Sequence, residues 1–580
     1  MEKFYRVNMT DQTVSVGPVP EQYQGVWGRG LISKILVEEV NPMCHPIGPT
    51  NKLIIATNAF NGTCAPSAGR ISFGGKSPLT YGVKESNAGG YTGHMLGKMD
   101  IRAIVIEGMP KVPEEKFFIL RVTPNGIEIL DAPEEMFGMG CYETARYAKE
   151  HFGLTEKTSV ATIGPAGEMR SPAACISLTN MEGDASRQAG RGGLGCVMGS
   201  KKIKAIVIDN LGINKVTYAD QEAFRNESYK LGQALKVACA GLTNFGTDNL
   251  VTPINNTGGL PVRNFSAGND GDRIDKYKGQ AIHALAVERG GQYGHSCHPG
   301  CCIRCSNVVV DKKGKYITGS LEFETVALFG PNCDIADLDV IAQADYKCDD
   351  YGVDSIETSV IAGVACEAGI IPWGDGEALL AFLDEMGKKS PMGRIIASGA
   401  TNFGRVFGQW RVSQTKGQAT AAYDPRACKG TGITYACGTM GGDHTQGNAL
   451  PGRGGIDPNK AEKQPALVRN LQIHSCVIDS VGFCLFVGPS ITKMPVTAAL
   501  LNARYGLNLE VEDLLEYGRN CLKREIAFNR AAGVPDIDIP EFQTIENLGP
   551  KNVKFDVPLE EIKKVQDFSY EFTEDEKANW

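Results

Sequence analysis

The chain has no surplus of positive charge: 59 Lys and Arg stand against 67 Asp and Glu, for a net charge of −8. A nucleic-acid binder needs a basic footprint and a membrane-surface protein a basic amphipathic segment, so neither class is expected. Long apolar runs are missing too. No stretch approaches the roughly 18 apolar residues of a spanning helix, and the N-terminus MEKFYRVNMTDQTV alternates charged and apolar residues where a signal peptide would run uninterrupted. The expectation is a soluble, cytoplasmic protein without membrane insertion. With 580 residues, 42% of them hydrophobic and 22% charged, the chain is globular material for roughly two to four domains, which excludes disorder and fibre. Two residue types are in excess. The 69 Gly exceed the about 7% of average usage, and 18 Cys accompany them. In a reducing compartment so many thiols point to metal or buried cysteine, not disulfides.

Residues 1–210 read as β-rich. Phe117–Val122 and Ile127–Leu130 flank Pro124-Asn125-Gly126, a hairpin signal. Short buried strands are predicted at Lys52–Ala56, Arg102–Glu107 (RAIVIE) and Lys204–Asp209 (KAIVID). The last two are near copies and suggest an internally duplicated pair of sheets. Beyond Asp220 the period becomes helical, at Glu377–Gly387, Val496–Tyr505 and Val511–Ala532. Gly387 and Gly506 stand where helices should stop, and Gly533–Phe542 reads as a connection. The expected class is α+β: a β-rich domain over 1–210, then two mainly helical domains over 211–410 and 411–580.

The densest chemical signal is His295-Ser296-Cys297-His298-Pro299-Gly300-Cys301-Cys302-Ile303-Arg304-Cys305, with four thiols in nine residues. Thiolates on a tight turn can converge on a soft metal centre, and an iron–sulfur cube takes three local ligands and one distant Cys. Structural zinc would want a second Cys pair, and the later thiols are scattered. Four merely buried cysteines would require this pattern by accident. A second signal is the hexad D-x-x-G-x-[D/C], at Asp349–Asp354 and again 130 residues later at Asp479–Cys484. An acid followed by a glycine suits a donor-rich heterocycle, and two copies suggest two similar ligands about a pseudo-twofold. The second copy ends in Cys484, the natural fourth ligand. Each hexad alone is weak, since Asp with Gly usually means a turn.

Gly190-Arg191-Gly192-Gly193-Leu194-Gly195 contains a literal G-x-G-x-x-G. A dinucleotide fold needs a strand before it and a crossover helix after it. The polar run Asn180–Ala185 precedes it and only Cys196–Lys202 follows, too short for a crossover of at least about 10 residues. A phosphate-cradling loop with Arg187 and Arg191 is expected instead. Glu322 and Glu324 sit among apolar neighbours, which raises proton affinity and suits a general base. His444 lies in a glycine-lined loop. The bland readings are a Glu on the solvated face of a strand and a loop histidine bonded to its own backbone.

Together these residues resemble the aldehyde:ferredoxin oxidoreductase family of tungsten, occasionally molybdenum, pterin enzymes. The resemblance runs through Gly28–Leu36, Gly62–Arg70, Lys76–Gly90, Gly190–Ile206, the cysteine cluster, EFET, both hexads and Tyr423–Ala436. It implies a two-sheet β base under the cofactor, covered by two largely helical domains. It also implies that Asp349, Asp354, Asp479 and the loops at Gly352 and Gly482 hold two pyranopterins. Arg70 and Arg187 would bind their phosphates, and the Asn87 and Gln188 carbonyls would face a bridging Mg²⁺. Cys297, Cys301, Cys305 and Cys484 would bind one [4Fe–4S] cluster. The acid–base pair becomes Glu324 and His444, with Glu322 the alternative to Glu324. Arg191 is likewise the alternative to Arg187. The spacing C-x3-C between Cys297 and Cys301 departs from the family's C-x2-C and leaves Cys302 in contention for Cys301. The implied activity is oxidation of a small aldehyde to a carboxylic acid, with electrons leaving to ferredoxin or a polyferredoxin-like subunit, in a homodimer or larger assembly. The alternatives are reduction of an acid or an aromatic acyl thioester and, in another class, a non-catalytic iron–sulfur electron carrier. The carrier would not need the hexads. An NAD-dependent dehydrogenase would need the crossover helix.

Overall fold

The computed structural model describes residues 2–154, 158–213, 216–488 and 493–577. Its N-terminal part holds two six-stranded sheets. The first is built from β1 (Lys3–Asn8), β2 (Thr13–Pro18), β3 (Leu53–Ala56), β4 (Ile71–Lys76), β5 (Val83–Ala88) and β6 (Ile101–Glu107), in the order β2-β1-β6-β3-β4-β5. The second comprises β7 (Phe118–Thr123), β8 (Gly126–Asp131), β9 (Ser159–Thr162), β10 (Ile176–Leu178), β11 (Arg187–Ala189) and β12 (Ile203–Ile208). Read from its β8 edge the order is β8-β7-β12-β9-β10-β11, the same permutation as in the first sheet. Each sheet has one parallel pair, β1 with β6 and β7 with β12, and the other pairs are antiparallel. Both parallel pairs carry a register irregularity near their start. The two near-copy hexapeptides are thus equivalent strands, and the duplication extends to the whole sheet.

The apolar run of β6 follows from its two buried faces. Ile104 and Ile106 enter the core between the sheets, while Ala103 and Val105 meet Leu31, Ile32, Ile35 and Leu36 of α1 (Gly28–Glu39). The counterpart of α1 is α2 (Cys141–His151), between β8 and β9. The edge strands β5 and β11 pack on each other, so the sheets present a joint seam.

The helical part supplies α3 (Phe323–Phe329), α4 (Leu338–Tyr351), α5 (Ser355–Glu367), α6 (Gln464–Val481) and α7 (Val511–Ala531). Ile356 through Cys366 of α5 are all buried, as expected of a helix apolar on every side. Amphipathic α7 starts at a capping box of Glu510 and Asp513, and Gly518 lets it approach α6, since a Cβ there would stand 2.5 Å from the Ile473 carbonyl oxygen. A small antiparallel sheet of β13 (Gln292–His295), β14 (Ser306–Val310) and β15 (Tyr316–Thr318) carries the cysteine loop between its first two strands.

The predicted helices occur as Gly376–Gly387, Lys493–Tyr505 and α7. Gly506 stops its helix with φ +70°, whereas Gly387 is simply the last helical residue. The stretch from Gly533 is a connection until the helix Glu541–Ile545 begins. One reading is corrected. A strand, β11, does precede the glycine-rich loop, and a seven-residue helix, Leu194–Ser200, follows it. The dinucleotide reading still fails. β11 and β12 are separated by β10 and β9 through antiparallel steps, so this helix is no parallel crossover. Glu322 and Glu324 stand at the start of α3, not on a strand.

Candidate active site

Both hexads are helix ends. Asp349 lies in the last turn of α4, Gly352 caps it at φ +70°, and Asp354 caps α5 by accepting from the Ile356 N–H at 3.0 Å. Asp479 lies in the last turn of α6, Gly482 caps it at φ +93°, and Cys484 follows. Both caps dock on equivalent corners of the two sheets. A Cβ on Gly352 would stand 2.7 Å from the Gly164 nitrogen, two residues past β9, and one on Gly482 2.7 Å from the Asn58 Cβ, two residues past β3. The Gly352 carbonyl accepts from the Cys175 N–H at 2.9 Å, and that of Gly482 from the Arg70 N–H at 3.3 Å; each donor immediately precedes β10 or β4. The acids are matched as well. Gln188 of β11, paired with Ser177, donates to Asp349 at 2.8 Å; Asn87 of β5, paired with Ser72, donates to Asp479 at 3.3 Å. Two similar sockets are therefore related by the sheet duplication.

The sockets differ electrically. Arg70 grips Asn87, Nε to Oδ1 at 2.6 Å and Nη2 to the backbone carbonyl at 3.1 Å, so that carbonyl is already occupied. Burial pushes the carboxyls of Asp349 and Asp479 up; Asp345 adds to this for Asp349, while Arg29 and Arg70 oppose it for Asp479. Arg191 is consumed by protein partners: Asp354 at 3.1 Å and the Gly442 and Ala419 carbonyls at 2.9 and 2.5 Å. Arg187 donates to Ser306 at 2.9 Å, but its buried Nε has no partner, which leaves it the freer of the two.

Ser67 joins the cysteine segments. Its N–H donates to the Gly300 carbonyl at 2.9 Å, and its own carbonyl accepts from the Cys484 N–H at 2.9 Å. Cys297, Cys301, Cys305 and Cys484 are all buried in one cluster. The interaction of Cys297 with Cys301 pushes the Cys301 thiol down and that of Cys297 up. Cys302 is partly exposed and faces the Ser67 hydroxyl at 3.5 Å. His298 is fully buried with its Nε2 unpartnered.

Glu324 and His444 meet, with Nε2 3.1 Å from Oε1, and the Tyr423 hydroxyl donates to the same oxygen at 3.1 Å. The raised proton affinity expected of Glu324 is not found. Burial would raise it, but the His444 charge and hydrogen bond, with those of Tyr423 and the backbone, bring it below the ordinary carboxylate value. Glu322 is the raised one, through burial that its bonds from Ser320 (2.5 Å) and Thr247 (2.9 Å) do not offset. His444 follows Asp443, which Lys84 grips at 2.5 Å and which Lys84 and Arg191 hold far below its ordinary value against the effect of burial.

These groups surround a cavity of about 320 Å³ between the β seam and the helical part. It is lined by Arg70, Asn87, Arg187, Gln188, Asp349, Asp354, Asp479, Glu324, His444 and three of the cysteines, Cys297, Cys305 and Cys484; Gly352, Gly482, Cys301 and Cys302 are not in its wall. The donor set suits an anionic, donor-rich cofactor with a sulfur-ligated cluster: an orphaned guanidinium nitrogen, two acids on glycine-capped turns, and buried thiols. Sequence reading missed Arg29, Tyr142, Tyr423 and Lys84, whose roles depend on partners more than 90 residues away. The one local hint was Arg29 between two glycines. Among the described residues no helix is long and apolar enough to cross a membrane.

Fold and site together define an oxidoreductase with a cofactor cavity at a pseudo-symmetric seam. The sequence profile described as aldehyde ferredoxin oxidoreductase, N-terminal domain, matches residues 4–210, and that of domains 2 and 3 of the same protein matches 224–571. The chain belongs to the aldehyde ferredoxin oxidoreductase family. It is 32% identical over 562 residues to the tungsten-containing aldehyde ferredoxin oxidoreductase of Thermococcus kodakarensis and 33% identical to that of Pyrococcus furiosus, covering 92% of this chain and 89% of either relative. A WOR-like subunit of an aliphatic sulfonate oxidoreductase from Pyrococcus furiosus is 27% identical over 74% of this chain and 72% of that protein. The fold matches a chain of the active-site complex BamBC of benzoyl coenzyme A reductase with a TM-score of 0.79, at 19% identity over 97% of this chain and 92% of that one.

Proposed function

We propose that the protein oxidises an aldehyde to the carboxylic acid and passes the electrons, through a [4Fe–4S] cluster on Cys297, Cys301, Cys305 and Cys484, to a ferredoxin or ferredoxin-like subunit. The observation that carries this is the Glu324–His444 contact at 3.1 Å, on the wall of a cavity that Cys305 and Cys484 also line. A tungsten or molybdenum bis-pyranopterin would supply the two-electron chemistry, and a cluster held by the four cysteines would supply one-electron transfer. In this reading Asp349, Gly352 and Asp354 hold one heterocycle, and Asp479 and Gly482 the other. Arg70 and Arg187 take the phosphates. A Mg²⁺ between the Asn87 and Gln188 carbonyls would require Arg70 to yield its bond to Asn87.

Glu324 is ionised at neutral pH because His444 and Tyr423 stabilise the anion, so it can accept a proton from attacking water or from the aldehyde hydrate. The buried Nδ1 of His444 has no protein partner and is the atom left to meet the substrate oxygen. Run backwards, the same groups would serve reduction of an acid or an aromatic acyl thioester. The oxidative direction is preferred because the relatives above 30% identity carry aldehyde in their names, and the benzoyl coenzyme A reductase likeness bears on fold alone.

The test is elemental analysis of protein purified without oxygen, with aldehyde-dependent viologen reduction. The expected result is about one tungsten or molybdenum and about four iron per chain, with turnover. Zinc alone would overturn the reading.

A further inference from the structure

One buried acid beside the cavity has no place in the chemistry above. Asp248, in the turn Thr247–Leu250, is 1% exposed, and neither of its carboxylate oxygens has a hydrogen-bond partner. An ionised carboxylate left so would be several kcal/mol unfavourable, so the group must hold a proton. Its surroundings point the same way: besides its burial, Glu322, Glu324 and Asp345 face it and push its carboxyl well up. Its own backbone N–H opposes this, and the Arg187 charge acts on two of its neighbours, Glu322 and Asp345.

Besides burial, Asp248 acts on Tyr293 of β13, making its buried hydroxyl less acidic against the opposing effect of the Asn307 side chain. The Tyr293 ring stacks on His283 at 4.9 Å and 15°, and His283, partly exposed, bonds through Nδ1 to the Asn244 carbonyl at 2.6 Å. The neighbouring Thr247 hydroxyl donates to Glu322 at 2.9 Å, and both Thr247 and Glu322 line the cavity. Asp248 thus feels both the acids of the cavity and, through Tyr293, a ring stack that reaches the partly exposed His283.

We propose that Asp248 is a proton-relay residue, exchanging protons between the cavity acids Glu324 and Glu322 and the solvent by way of Tyr293 and His283. The inference rests on the functional reading above, in which R–CHO + H₂O gives R–COOH + 2 H⁺ + 2 e⁻, the electrons leaving to a ferredoxin-class acceptor. The cysteines give the electrons an exit, and the protons need a separate one because Glu324 can hold only one at a time. A carboxylic acid already carrying a proton can release it outward as it accepts another from within, with ordered water bridging the longer steps.

Asp248→Asn and Tyr293→Phe in the complete, cofactor-loaded protein test this. Turnover of benzaldehyde or acetaldehyde with viologen should fall about tenfold in Asp248→Asn, with KM and metal content unchanged. The solvent deuterium isotope effect on kcat should rise, and added imidazole or formate should restore the rate. Tyr293→Phe should move the same quantities in the same direction. Wild-type kcat and isotope effect in both variants would overturn the relay, as would a loss that no buffer rescues. If the wild-type protein oxidises no aldehyde, the functional reading fails and the relay is judged separately by infrared difference spectroscopy. A protonated carboxylic C=O band present in wild type and missing in Asp248→Asn supports it; no such band overturns it.

Discussion

Arg29 and Tyr142 are the second residues of equivalent helices, α1 and α2, and each donates to the hexad acid of its own socket. Arg29 Nη1 reaches Asp479 at 3.2 Å and the Tyr142 hydroxyl reaches Asp349 at 3.1 Å. One socket is therefore closed by a cation and the other by a neutral donor. Arg29 also holds Glu525 through two bonds of 2.8 Å, both partners fully buried.

Removing the cation should cost far more than removing the phenol. Arg29→Met strands a buried Glu525, a loss of about 3–5 kcal/mol, whereas Tyr142→Phe removes one hydrogen bond worth about 1 kcal/mol. Thermal unfolding of both variants checks the difference; equal shifts would contradict the pairing described.

Glu324→Gln should abolish turnover, by a factor on the order of 10²–10⁴, while metal content stays intact. Retained turnover would move the base to Glu322.

The pH profile carries a sign. The folded carboxyl of Glu324 is lowered by His444, so its base form, and the stability it brings, persist above its unfolded value and are lost as pH falls through the lower folded one. His444→Gln removes the first of the lowering partners and leaves burial to act. The acid limb of kcat/KM should then move to higher pH; an unmoved limb would assign it to another group.

Iron content should separate the two adjacent thiols. Cys484→Ser and Cys301→Ser are expected to lose the cluster iron, and Cys302→Ser to keep it, because Cys301 Sγ lies within 4.8 Å of Cys297 Sγ whereas Cys302 faces Ser67. Iron per chain measured on anaerobically prepared protein decides this.

Ala at Gly482 or Gly352 should destabilise both docking corners. Backbone strain alone is about 1–2 kcal/mol at these positive φ values, and each Cβ would approach the β domain to 2.7 Å. Loss of pterin and metal in both variants is the expected companion; a normal cofactor complement in both would sink the socket assignment.

Several elements were legible in the chain before any coordinates. The duplicated hexapeptides became β6 and β12 because burial on both faces leaves a recognisable apolar run. β5 (VKESNA) and β11 (RQA) were not recognised, since strands that turn polar side chains to a cavity lack that signature. The cysteines and hexads were found because their chemistry is dense along the sequence.

What the residues alone decided is which groups are available: four thiols in one short segment, and an acid followed by a glycine in two copies of one hexad 130 residues apart. What only the folded chain decided is which of those groups pay electrostatic attention to each other. Glu324 looked like an acid of raised proton affinity from its apolar neighbours, and became one of lowered affinity because a histidine 120 positions away lies at 3.1 Å. Charge interactions fall with distance through space, not along the chain, so no local pattern can report them.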